Sequence, residues 1–127
     1  MKLTTVLILG LGAGLLFLIS CNSKVKNSEN YRSVDVAAAK SIIEADKDVV
    51  ILDVRTPSEV AAGQVAGAVN IDVMNSSFGE KIAALDKDKT YVVYCKSGGR
   101  SVTASKKMLA AGFTDVVNVE GGYTAWK

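Results

Sequence analysis

Four short apolar runs restrict what this chain can fold into. They are Val49-Val50-Ile51-Leu52, Val69-Asn70-Ile71, Tyr91-Val92-Val93-Tyr94 and Val116-Val117-Asn118-Val119. Continuous β-rich runs of this kind suit strands buried on both faces. Helical spacing fills the gaps between them. Ser33 is placed to cap a helix over Val34–Ile43, in which Val36, Ala39, Ile42 and Ile43 recur on one side. Thr56-Pro57-Ser58-Glu59 opens a second helix, with Thr56 as cap, Pro57 at the first helical position and Glu59 completing a capping box. Gly63 is placed to stop it. Phe78 to Leu85 and Ser101 to Ala111 give two more, the latter closed by Gly112. Asp86-Lys87-Asp88-Lys89 is a polar turn, and Gly121-Gly122 turns the chain into a short final segment at Trp126-Lys127. Strands alternating with helices predict an α/β fold with a mainly parallel sheet.

The first 30 residues do not belong to that pattern. Met1-Lys2 is a basic start, and Leu3 to Ile19 is apolar or small without a charge. That is the architecture of a secretory signal over residues 1–20. An uncleaved span is the alternative, since the run meets the low end of the roughly 17 to 25 residues a membrane helix needs. Leu18-Ile19-Ser20-Cys21 resembles the bacterial lipobox, in which the Cys is lipidated; the alternative is a small residue near an ordinary cut. The resemblance implies a protein of the cell envelope, lipid-anchored through Cys21 on the periplasmic or outer side of a membrane. Residues 21–30, CNSKVKNSEN, are polar, lack an apolar face and read as a tether. Residues 31–127 form one domain, long enough for one core.

Charge and composition exclude several functions. The formal net charge is +2, with basic residues scattered, so no nucleic-acid surface is expected. The chain has no His, which removes the commonest metal ligand and general base. With two Cys, no metal site and no cofactor are expected. Lipidation of Cys21 leaves Cys95 as the sole free thiol and rules out an internal disulfide.

The chemistry concentrates in Cys95-Lys96-Ser97-Gly98-Gly99-Arg100-Ser101, between a buried strand and a helix. Ligands bind at the carboxyl ends of strands in open α/β sheets. A loop entering a helix offers unpaired N–H groups and positive potential. Gly98 and Gly99 let the backbone turn those N–H groups towards one point, making an anion nest. Cys95 lies at its lip, so its thiolate is favoured below the free thiol value of about 8.5. Lys96 and Arg100 add charge, and Arg can grip an oxyanion through two parallel hydrogen bonds. The pattern describes a nucleophilic thiolate facing a pocket for a small anion.

These residues also carry a family resemblance. Leu52-Asp53-Val54-Arg55-Thr56-Pro57-Ser58-Glu59, followed by Gly63 to Ile71, resembles the first signature of rhodanese domains. Tyr94 to Ser101 resembles their active-site loop, and Gly121-Gly122-Tyr123-Thr124-Ala125-Trp126 their closing motif. The resemblance spans nearly all of 31–127. It implies a five-stranded, mainly parallel sheet with helices on both faces. It also implies a thiosulfate sulfurtransferase: Cys95 takes a sulfur from an anionic donor such as thiosulfate and passes it, as a persulfide, to cyanide or a thiol. By position, Lys96, Ser97, Gly98, Gly99 and Arg100 would bind substrate, with Ser101 in support. Asp53 and Arg55 would brace the loop from beneath, or simply cap and pair locally. Gln64 and Ala66 replace residues that are often His and Pro in the family, and Tyr123 stands where Trp is common.

Other readings remain. A persulfide carrier or docking module for a protein partner would use the same fold, since fold alone does not fix activity. The intact Cys95 argues against pure docking. Phosphatases on this fold use a Cys-x5-Arg loop, one residue longer than Cys95-x4-Arg100 here. An arsenate reductase would want partner cysteines, and a thiol redox protein a resolving one.

Overall fold

The computed structural model describes residues 31–127. The signal (1–20), tether (21–30) and Cys21 lipidation readings lie outside the described residues. The chain runs β1 (Arg32–Val34), α1 (Val36–Ala45), β2 (Val50–Asp53), α2 (Pro57–Ala61), β3 (Val69–Asn70), α3 (Phe78–Ala83), β4 (Thr90–Tyr94), α4 (Gly99–Ala110), β5 (Asp115–Val119) and α5 (Gly122–Trp126). The five strands form one sheet in the order β1-β5-β4-β2-β3. Every pairing is parallel, so the predicted α/β class holds and the sheet is parallel throughout.

Side chains alternate across the strands and give each face its own core. Leu52, Val93 and Val116 pack with Phe78 and Ile82 of α3 and with Ala104 and Met108 of α4. Ile51, Val92, Tyr94 and Val117 pack on the other face with Ala39 of α1, and with Tyr123 and Trp126 of α5. Helices thus cover both faces, as double-sided burial of continuous apolar strands requires. Among the described residues no helix is long and apolar enough to cross a membrane.

The first element departs from expectation. Arg32–Val34 is a strand paired with Val117–Val119, and Asp35, not Ser33, caps α1 by accepting from the Ala38 N–H. Ser33 instead accepts from the Asn118 side chain across the sheet. Pairing with β5 outweighs the local cap. The capping box at α2 forms as predicted between Thr56 and Glu59.

Candidate active site

β4 delivers Cys95 to the carboxyl end of the sheet, and the chain turns there into α4. Gly98 makes the turn with φ +123°, a conformation that a Cβ disfavours. Gly99 has no positive φ and begins α4, so one glycine does the turning rather than two. The helix consequently starts two residues earlier than its apolar spacing suggested.

The turn encloses the sulfur. The Gly98 N–H donates to Cys95 Sγ at 3.0 Å. Ser101 Oγ lies 3.5 Å from Sγ and donates to the Gly98 carbonyl at 3.0 Å. Cys95 is buried, with 1% of its surface exposed, whereas Lys96, Ser97 and Gly99 face solvent. Burial pushes the thiol up, but the Ser101 side chain and the N–H groups of Ser101, Gly98 and Ser97 outweigh it and leave the thiol lowered. Hydrogen bonds to the charged form are what stabilise it.

Arg100, expected to bind substrate, has a partner of its own in the fold. Its guanidinium is turned to Glu59 of α2, with Nη1–Oε1 at 2.6 Å and Nη2–Oε2 at 2.8 Å. The fork expected to grip an anion already holds a carboxylate, bidentate and charge-assisted. Arg100 holds the Glu59 carboxyl down at about 2, against burial and with help from Thr56. Glu59 Oε1 also accepts from the Thr56 N–H at 3.2 Å and the Thr56 hydroxyl at 3.0 Å. One carboxylate thus ties the start of α2 to the start of α4. Sequence reading placed Glu59 in the capping box only, because nothing local to a single chain marks a partner 41 positions away.

Asp53 and Arg55 are buried together on the face opposite the thiol, joined to Tyr94 of that face's core. Arg55 Nε reaches Asp53 Oδ1 at 3.0 Å and Arg55 Nη2 reaches Oδ2 at 2.7 Å. Tyr94 donates to Asp53 Oδ2 at 2.6 Å and accepts from the Val65 N–H at 3.1 Å. Burial first, then this bond to Asp53, pushes the Tyr94 phenol well above its usual value. Arg55 Nη2 also donates to the Gly63 carbonyl at 2.7 Å, and the guanidinium lies 4.4 Å from the Tyr123 ring centre. No side-chain hydrogen bond from this pair reaches residues 96–100 among the described residues.

What the site offers is a buried thiol with a lowered pKa, bonded by the Gly98 N–H beneath a solvent-facing loop. Among the described residues no cluster of three or more His, Cys, Asp or Glu could hold a metal ion. Comparison with known proteins agrees with this arrangement. The family model described as "Rhodanese-like domain" matches residues 35–127. The "Putative sulfurtransferase YtwF" of Bacillus subtilis is 44% identical over 96 residues, 76% of this chain and 90% of that protein. "Thiosulfate sulfurtransferase 16, chloroplastic" of Arabidopsis thaliana is 38% identical over 104 residues, 74% of this chain and 85% of that protein. The crystal structure of a rhodanese-related protein from Thermoplasma volcanium superposes with a TM-score of 0.65 at 38% identity, over 76% of this chain and 90% of that one. Its all-parallel sheet, its Cys95 turn and these relatives together show that the chain belongs to the rhodanese-like domain family, among sulfurtransferases.

Proposed function

We propose that this domain moves sulfane sulfur from an anionic donor such as thiosulfate to cyanide or a thiol through a persulfide on Cys95. The observation that carries the reading is the Cys95 sulfur, buried yet bonded by the Gly98 N–H and next to Ser101. The thiolate attacks the outer sulfur of the donor. A new S–S bond forms on Cys95, the donor's own S–S bond breaks, and its electron pair leaves with sulfite. The acceptor then attacks the outer sulfur of the persulfide and departs with it, and Cys95 regains its electron pair as thiolate. No external oxidant or reductant is consumed. This is covalent catalysis in two half-reactions.

The backbone does the binding. N–H groups from Ser97, Gly98 and Ser101 bear on the sulfur, and those of the same turn receive the negative charge of the persulfide. Arg100 acts through its charge near Cys95 while paired with Glu59; Lys96, exposed, draws the donor to the loop. Initial rates with varied thiosulfate and cyanide should give the parallel double-reciprocal lines of a ping-pong mechanism, abolished in Cys95→Ser. Intersecting lines, or hydrolysis of an aryl phosphate in place of sulfur transfer, would overturn the reading.

The domain's place is the bacterial cell envelope, held by lipid on Cys21. The support is Leu18-Ile19-Ser20-Cys21 closing an uncharged apolar run. Several acyl chains give a firm anchor where one does not. A labelled fatty acid should enter the wild-type chain in bacteria and not Cys21→Ala; equal labelling of both refutes the anchor.

A further inference from the structure

The carbonyls of the catalytic loop are held from outside it. α5 packs its first turn against the end of β4. The Tyr123 N–H donates to the Cys95 carbonyl at 2.8 Å, and the Thr124 N–H to the Lys96 carbonyl at 3.0 Å. The approach is closest at Gly122, buried with φ +57°, where a Cβ would overlap both carbonyl oxygens. A trans peptide sets its C=O and N–H in opposite directions. A Lys96 carbonyl drawn towards α5 therefore turns the Ser97 N–H away from α5. α5 belongs to one face of the sheet and Cys95 packs with the core of the other. The N–H so turned is aimed to the side where the sulfur lies, and the next amide, Gly98, is already bonded to it.

α5 is itself seated on the buried pair. The Tyr123 ring lies over Arg55 at 4.4 Å and stacks near Tyr94 at 6.2 Å. Its hydroxyl closes against Gly63, whose carbonyl accepts from Arg55. Asp53 fixes Arg55 from beneath.

We propose that α5 is the positioning element of the catalytic turn: the Tyr123 and Thr124 N–H groups fix the peptides that follow Cys95, and Arg55 holds α5 in register through the Tyr123 ring. The proposal rests on the reading of Cys95 as the reacting sulfur, but the orientation it describes does not depend on any donor. Charged groups near the sulfur are Arg100 of α4, paired with Glu59 of α2, with Asp72 beyond, and Lys96 on the loop. α5 contributes none, so its influence on the thiol runs through peptide orientation.

Thr124 carries the test. Its side chain is exposed, and its N–H belongs to the first helical turn, which has no partner inside the helix. Thr124→Pro, at the third helical position, removes the donor and sets its ring against the Lys96 carbonyl, and Thr124→Ala keeps the donor. The thiol would be titrated by thiolate absorbance and by the pH dependence of alkylation, without any sulfur donor. Thr124→Pro should raise the thiol pKa by roughly one pH unit, the scale of one weakened hydrogen bond to a charged group, and Thr124→Ala should leave it unchanged. A folded Thr124→Pro with the wild-type titration overturns the proposal. Should that variant fail to fold, the 15N-labelled wild type decides. The Ser97 and Thr124 amide resonances should move together as Cys95 ionises, and a Thr124 amide that ignores the titration overturns the proposal. If thiosulfate leaves no sulfur on Cys95 while the titrations differ as expected, the sulfur-transfer reading falls and this one stands.

Discussion

Burial pushes the Cys95 thiol pKa up, and its hydrogen-bonding neighbours more than offset that and lower it. Ser101 is the largest of those neighbours' contributions, so Ser101→Ala should raise the thiol pKa. In the proposed mechanism the thiolate is the attacking form, so the rate should rise with pH as it forms. A raised pKa moves that limb of kcat/KM to higher pH, by about one pH unit or less for one hydroxyl bond. Glu59→Gln makes a different prediction. Gln preserves the capping box but withdraws the carboxylate from Arg100. The freed guanidinium should lower the KM for a dianionic donor several-fold, with a gain that fades at high salt. An unchanged KM would mean that Arg100 never faces the donor. The same variant has a signature in acid. The Glu59 carboxyl is lowered in the fold, so its contribution is complete above the ordinary value of 4.5 and is lost as pH falls towards about 2. Denaturation midpoints followed over that window should fall for the wild type by an increment missing from Glu59→Gln.

The secondary elements show what a single sequence can reveal and where it stops. β2 and β4 were legible because unbroken runs such as Val92-Val93-Tyr94 have no polar face to offer water. α2 was legible because Thr56, Pro57 and Glu59 are a local code. β1 was not, because Arg32-Ser33-Val34 is a strand only by virtue of β5, more than 80 positions away. The site divides in the same way. Cys95 and the turn after it could be read from their own spacing, whereas the Glu59–Arg100 tie and the grip of α5 on Cys95 and Lys96 are made by the fold. Gly122 marks that grip. Gly122→Ala places a Cβ against backbone that cannot swing aside, at a φ that side chains avoid. It should cost on the order of 1–3 kcal/mol from the backbone conformation alone. Thermal unfolding with a thiol titration would check it, and a wild-type midpoint would show that α5 is not seated as described.

Across the whole molecule, the sheet separates two tasks. The face with α3 and α4 holds the sulfur, and the face with α1 and α5 holds a buried ion pair, Asp53–Arg55, with side chains 0% and 4% exposed. A buried pair is weak evidence of net stabilisation, but breaking it strands a charge. Arg55→Met should therefore destabilise the domain by about 3–5 kcal/mol, and Asp53→Leu with Arg55→Met should recover much of that loss. Chemical denaturation of the two would check this; a single variant as stable as the wild type would remove the pair from the account. Sulfur transfer belongs to the other face, and mass spectrometry of Cys95 tests it. The domain of residues 31–127 would be incubated with thiosulfate and its intact mass taken, before and after cyanide. The account predicts a gain of one sulfur atom, located at Cys95, released as thiocyanate and absent from Cys95→Ser. A domain that gains no sulfur, or gains it equally in Cys95→Ser, would contradict it.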